Sequence, residues 1–250
     1  MRTVIAIGAT LLVLTGANPA AAADDGVIEY VAEYEVRYKG RRVARAEFSV
    51  AASPSGGYVF QSSTRARGVW RLASPNPAID TSRFSLEDDR IIPNRFEFQD
   101  GSRKAEDSFS VEFDAAAGEA RVSGPGGSGS YSFEPGLLDR GSLQVALMRD
   151  LGRCMAPGPY RYVDDDGITS YDYERLEDLE TDTGMGTLET VRFSQHREGS
   201  SRTTVLWLAP GMAYLPVRIE QIRGGEVETV FTLEEASGIE SAGPACSGFR

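Results

Sequence analysis

From residue 30 onward the chain alternates between apolar and polar side chains. Tyr30, Ala32, Tyr34, Val36 and Tyr38 share one face of a period-two run and Glu33, Glu35 and Arg37 the other, the pattern of a half-buried strand. Lys39-Gly40-Arg41 turns the chain, and Ala44, Ala46, Phe48 and Val50 alternate with Arg45, Glu47 and Ser49 in a second strand, completing a hairpin. After a Ser-Pro-Ser-Gly-Gly turn, Tyr58, Phe60, Ser62 and Thr64 continue the meander. Ile79–Leu86, Asn94–Gln99 and Asp107–Phe113 follow as strands, separated by Asp-Asp, Asp-Gly and Ala-rich turns, while residues 124–130, rich in Gly and Ser, read as a flexible loop. Leu138–Gly152 is the one strong helix candidate. Leu143, Ala146, Leu147, Met148 and Leu151 form its apolar stripe, Asp139 is placed to cap it and Gly152 to end it. Strands resume over Tyr160–Val163, Thr169–Glu180, Gly186–His196, Arg202–Leu208, Leu215–Ile222 and Glu226–Glu234. The pattern predicts a mainly β protein, a large antiparallel curled sheet or open barrel with one helix packed against it.

The stretch TTVLWLAPGMAYLPVRIEQ, Thr203–Gln221, gives this architecture its sharpest corner. Val205–Leu208 runs into Ala209-Pro210-Gly211, and Leu215-Pro216 opens a second run in which Val217 and Ile219 alternate with Arg218 and Glu220. Pro216 cannot donate to a ladder and belongs at the start or edge of its strand, with Trp207 and Tyr214 left to cover the sheet nearby.

The first residues change the picture of where this sheet folds. Arg2, the apolar run Val4–Leu14 and Ala21-Ala22-Ala23 before Asp24-Asp25 have the layout of a cleaved secretory signal, residues 1–23, which implies a periplasmic protein and leaves residues 24–250 as a single all-β domain. The apolar run is shorter than the roughly 20 residues a membrane helix requires, and no transmembrane segment is expected in the mature chain. The first cysteine is Cys154, so no N-terminal lipid acceptor follows the cleavage site. In an oxidising compartment the only two cysteines, Cys154 and Cys246, are expected to be bridged. A formal net charge of -11 argues against nucleic-acid binding and against general attraction to anionic membranes.

Three stretches carry a resemblance: YEVRYKGRRVARAEFSV (Tyr34–Val50), DRGSLQVAL (Asp139–Leu147) and the Thr203–Gln221 corner. Together they resemble a bacterial secreted family catalogued as a domain of unknown function, numbered thirty-one-oh-eight. The strand-turn-strand units with Trp, Leu-Pro and a basic residue are also similar, at the level of fold, to the periplasmic lipoprotein-carrier and sigma-factor-regulator group. That second resemblance implies an antiparallel sheet curled over helices around an apolar pocket. The family has no assigned catalytic residues, so the resemblance transfers none.

Candidate chemistry is sparse. His196 is the only histidine and lies in a polar run, where an exposed strand end accounts for it; two-histidine metal motifs are excluded. Residues 126–130 lack the final glycine and the strand-to-helix setting of a nucleophile elbow. Asp164-Asp165-Asp166-Gly167 would put tyrosines at both end positions of a calcium loop, so a hairpin turn is the better reading. No catalytic residue, metal or cofactor is assigned. The segment Arg65–Leu72 stands out, because Arg65, Arg67 and Arg71 cluster beside Val69, Trp70 and Leu72 in an acidic protein. Guanidinium groups grip a phosphate or carboxylate while an apolar tip meets an acyl chain; a sheet corner with Trp70 in the core and the arginines paired locally explains the same residues. Trp207 and Tyr214 are open to the same two readings, core packing or pocket lining. The resulting expectation is a non-enzymatic protein that encloses a lipid or other apolar or amphiphilic envelope component. An envelope scaffold binding proteins or glycan, and a hydrolase of envelope substrates, are the alternatives.

Overall fold

The computed structural model describes residues 26–72, 74–197, 199–239, 246, 248 and 249; the signal-like segment at residues 1–23 lies outside them. Among the described residues there are fifteen strands and one α-helix. The strands are β1 (Tyr30–Tyr38), β2 (Arg41–Ala52), β3 (Tyr58–Ala66), β4 (Ala78–Glu87), β5 (Arg90–Gln99), β6 (Phe109–Asp114), β7 (Glu119–Gly124), β8 (Gly127–Ser132) and β9 (Leu137–Leu138). After the helix α1 (Arg140–Gly152) come β10 (Tyr160–Asp164), β11 (Gly167–Thr183), β12 (Gly186–His196), β13 (Arg202–Ala209), β14 (Leu215–Arg223) and β15 (Glu226–Ser237).

They form a single sheet in the order β8-β7-β6-β5-β4-β3-β2-β1-β15-β14-β13-β12-β11-β10-β9. Two meanders meet where β1 pairs antiparallel with β15, Tyr34 opposite Leu233, and the only parallel pair is β9 with β10. The sheet curls until Leu137 of β9 and Val163 of β10 pack against Phe96, Phe109 and Val111 of β5 and β6, but no ladder joins β8 to β9, so it remains an open barrel.

The helix lies inside the curl, which is why eight of its thirteen residues are buried. Its start is fixed by a capping box: the Asp139 carboxylate accepts from the Gly141 and Ser142 amides at 2.9 Å each, and the Ser142 hydroxyl accepts from the Asp139 amide. The Ser82 hydroxyl of β4 donates to the same carboxylate at 2.8 Å, tying helix to sheet. Burial pushes the Asp139 carboxyl up to about 6 even though Ser142, Ser82 and Gly141 hydrogen-bond to it. Gly141 permits the contact, because a Cβ there would come within 2.5 Å of the Phe60 ring and 2.6 Å of Ser82 Cβ. At the other end Arg149 and Arg153 both bind Asp89 in the β4–β5 turn.

Three of the differences from the pattern reading have a clear physical reason. Leu137–Leu138 pair with β10, so the helix begins at Arg140 rather than Leu138. The Gly/Ser segment at 124–130 is not a flexible loop: Gly124 pairs with Gly127 and Arg121 with Ser130 in a β7–β8 hairpin at the sheet edge, where backbone bonds alone hold residues with little apolar surface. β5 extends back to Arg90 through Pro93, which lies at a break in the β4–β5 register where its missing N–H is tolerated. Pro216 occupies a comparable place, at the start of β14, before the β15 ladder begins at Arg218. Its carbonyl accepts from the Tyr34 hydroxyl at 2.8 Å in the core.

Cys154 and Cys246 are bridged, with Cα atoms 5.5 Å apart and 92 positions apart in sequence. In the loop-entropy account a closure of that length contributes about 4 to 5 kcal/mol. The Cys246 amide also donates to the Tyr214 hydroxyl at 3.1 Å, so the corner after β13 and the end of α1 hold the same tail residue.

Asp139→Ala removes the cap and leaves the Ser82 hydroxyl without its acceptor. Urea unfolding of this variant is expected to show a loss of about 2 to 4 kcal/mol. A loss below about 0.5 kcal/mol would mean that the helix is held by its apolar contacts alone.

Candidate functional site

The curl and its helix enclose a cavity of about 660 Å³. Its floor is apolar: Leu143 and Leu147 from α1, Leu206 from β13, and Pro216 and Ile219 from β14. Its walls carry hydroxyls and amides. Tyr162 stacks on Tyr171 at 4.9 Å and donates to its hydroxyl at 3.1 Å, and the Tyr173 hydroxyl accepts from Gln195 at 2.8 Å. Burial pushes the Tyr162 and Tyr173 phenols well above their ordinary range, so both stay protonated at any physiological pH.

A partly buried charge cluster closes one side. Arg140, the first residue of α1, donates to Asp164 of β10 at 2.7 Å and lies over the Phe98 and Phe109 rings at 5.1 and 5.4 Å. Asp80 of β4 is worse placed, its Oδ1 3.6 Å from the nearer guanidinium nitrogen and without a hydrogen bond among the described residues. Burial, resisted by Arg140 and reinforced by the negative Asp164, pushes its carboxyl up to about 6. Asp164 belongs to the hairpin turn from Asp164 to Gly167, and its carboxylate is engaged by Arg140 and by the Asp165 amide.

The open end of the cavity is cationic. Thr204 and Gln221 face each other across β13 and β14 and line the cavity; two residues further out on the same face, Arg202 stands directly opposite Arg223. Gln195 pairs with Thr204 and His196 with Thr203, which brings Arg197, one residue past β12, alongside Arg202. All three arginines line the cavity, and none makes an ion pair with a described residue. Like charges directly opposite in a ladder destabilise it. Sequence order conceals the row, because its members are 5 and 21 positions apart. A one-residue bulge at Trp207/Leu208 decides the register: without it Arg202 would meet Ile222.

The residues singled out by sequence fall in three places. Trp207, one residue from the cavity-lining Leu206, faces the other side of the sheet, buried beneath the guanidinium groups of Arg192 at 4.8 Å and Arg218 at 5.5 Å. Tyr214 is buried at the corner, where it and Ala213 both adopt positive φ; its amide donates to the Ala209 carbonyl at 2.9 Å, and its ring meets Phe249 edge-on. It lines a second cavity of about 360 Å³ with Met148, Pro210 and both cysteines. Arg65, Arg67, Trp70, Arg71 and Leu72 sit elsewhere again: Arg65 lies at the end of β3, Arg67 follows the strand, and Trp70, Arg71 and Leu72 lie on the exposed single-turn helix Gly68–Leu72. Trp70 rests edge-on against Tyr38 at 6.4 Å, and the three arginines make no ion pair with a described residue. His196 ends β12 with Nε2 2.8 Å from the Ser194 hydroxyl and Nδ1 3.4 Å from that of Thr203, not from a carboxylate. Alternation with Gln195 places this pair on the face away from the cavity.

The family model described as "Protein of unknown function (DUF3108)" matches residues 33–232, and the chain belongs to that family. No curated protein matches it. Among solved structures it is similar to a β-barrel-like protein with the domain of unknown function DUF1849 from Brucella abortus, at 10% identity and a TM-score of 0.49 over 84% of this chain and 97% of that one. It is also similar to MucB, at 12% identity and a TM-score of 0.36 over 89% of this chain and 56% of that one.

The Asp80 carboxyl provides a pH test of the charge cluster. Neutral Asp80 carries no burial penalty below the ordinary carboxyl value of 3.8; as pH rises through about 6 the folded protein must bury a poorly paired charge and loses stability. Asp80→Asn is therefore expected to gain about 2 kcal/mol relative to the wild-type protein at about pH 8 over its relative stability at about pH 4, by urea unfolding. Equal differences at both pH values would show that Arg140 compensates the charge fully.

Proposed function

We propose that this protein is a periplasmic, non-enzymatic holder of an acidic amphiphile, seated in the cavity between α1 and the curled sheet. One observation carries the reading: a single cavity joins an apolar floor to a row of three arginines that make no ion pair with a described residue. Its volume lies within the usual range of ligand pockets, roughly 300 to 1,000 Å³. Arg197, Arg202 and Arg223 would take the anionic group, since guanidinium forks bind phosphate and carboxylate oxygens in pairs and none of the three is engaged in an ion pair with a described residue. Leu143, Leu147, Leu206 and Ile219 would take the alkyl part. The tyrosine hydroxyls and the amides of Gln144, Gln195 and Gln221 between these zones suit a ligand whose polar portion extends below its charge. Export rests on the Arg2–Ala23 pattern, and the disulfide is consistent with an oxidising compartment. The placement of the Ser194–His196 pair on the face away from the cavity supports holding over converting the ligand.

Calorimetric titration with dodecyl phosphate below its micelle threshold tests this. Binding is expected, with affinity falling at least about tenfold in Arg202→Gln/Arg223→Gln and in Ile219→Gln, and with little binding of inorganic phosphate or dodecyl maltoside. Absence of binding, or affinity unchanged in both variants, contradicts the reading.

A further inference from the structure

We infer that the end of the sheet carrying the cavity mouth is a docking face for an anionic lipid bilayer, with the turn at Val69–Leu72 entering its interfacial layer. The observations are independent of the cavity. Val69 and Leu72 are 75% and 78% exposed and Trp70 42%, three apolar side chains within four residues at the apex of a convex turn. The turn is anchored from behind: the Arg67 amide donates to the Val43 carbonyl at 2.8 Å, the Trp70 amide to the Arg67 carbonyl at 3.2 Å, and the Trp70 ring is propped on Tyr38. Val69 and Leu72 are thus held outward into solvent, with Trp70 half-exposed between them on its Tyr38 prop.

Around this tip the charge is inverted relative to the rest of the molecule. The β2–β3 ladder joins two basic segments, residues 39–45 and 65–71, and sets Arg45 directly opposite Arg65. Arg41, Arg45, Arg65, Arg67 and Arg71 are exposed and make no ion pair with a described residue, whereas Arg37 and Arg42 share Glu35 and Lys39 has Glu228 at 3.8 Å. In a chain of formal net charge -11 this is a local cationic field around an apolar point. A membrane interface complements both features, anionic headgroups for the guanidinium groups and the headgroup–acyl boundary for Trp70 and its neighbours. An acidic peptide or a phosphate backbone would answer the guanidinium groups but leave the exposed Val69 and Leu72 in water.

Register places this face at the cavity mouth. Tyr38 pairs with Thr229, Thr229 with Gln221, Gln221 with Thr204 and Thr204 with Gln195, so the Tyr38–Trp70 contact is level with the last cavity-lining pairs before Arg202 and Arg223. A protein seated on its tip would thus turn the mouth toward the bilayer; this last step rests on the proposed function, while docking itself does not.

Co-sedimentation of the purified protein with equimolar phosphatidylglycerol/phosphatidylcholine vesicles tests docking. Binding is expected to exceed that to pure phosphatidylcholine vesicles. It should fall on the order of a hundredfold in Arg65→Gln/Arg67→Gln/Arg71→Gln, about a factor of five per charge, and fall also in Trp70→Ser/Leu72→Ser. These positions are exposed, and the variants should retain both the wild-type unfolding midpoint and dodecyl phosphate binding in solution. Loss of vesicle binding with intact dodecyl phosphate binding separates docking from ligand holding. Equal binding to neutral and anionic vesicles, binding unchanged in both tip variants, or retention only on an acidic polymer such as heparin would overturn the inference.

Discussion

The seat of one helix inside a curled sheet governs what this molecule can do. A fifteen-strand sheet that does not close would leave its concave face wet or collapse on itself; α1 prevents both by occupying one side of the interior and leaving the other side as a cavity. The seat is tight at the helix start, where Gly141 lets the backbone approach Phe60 and Ser82 and where the buried Asp139 carboxylate serves helix amides and a sheet hydroxyl together. Its opposite end is held through Arg149, Arg153 and the bridge from Cys154 to Cys246. Since Leu143 and Leu147 form the cavity floor, these anchors also set the shape of the space in front of them.

The open end has the reverse character. Stability would be served by an acid between Arg202 and Arg223, and the chain is rich in acids, yet neither the arginines of the rim nor Arg65, Arg67 and Arg71 make an ion pair with a described residue. Repulsion across the ladder is tolerable because Arg202 and Arg223 are exposed and screened, and an anion between them would relieve it. Rim and tip therefore describe one cationic end on an acidic protein, with apolar surface in the cavity behind one group and at the apex beside the other.

Much of this fold was legible in the sequence because its core depends on strict alternation. Tyr30–Val36 and Ala44–Val50 bury the side chains the period-two pattern assigns to the core, and Asp139 caps the helix as its position suggested. Of the strands that escaped notice, β9 has two residues and β8 is built largely from Gly and Ser, while β7 buries only Ala120 and Val122, too short an alternation to mark a strand. The candidate site was legible only in chemical kind. An arginine cluster near apolar residues was visible at Arg65–Leu72, where three cations are close in sequence. The row at the cavity mouth is assembled across three strands by a bulge that no composition signal marks. Trp207 illustrates the same limit, since that bulge and the alternation beside it determine which face of the sheet the indole meets.

The central claim is that the cavity is built for an acidic amphiphile, and native mass spectrometry of the protein purified from its own periplasm tests it most directly. The account predicts a one-to-one adduct carrying an anionic group and an alkyl chain, diminished when Arg202 and Arg223 are both replaced by Gln. Recovery of only the bare polypeptide in every preparation, or of an adduct indifferent to those two replacements, would contradict it.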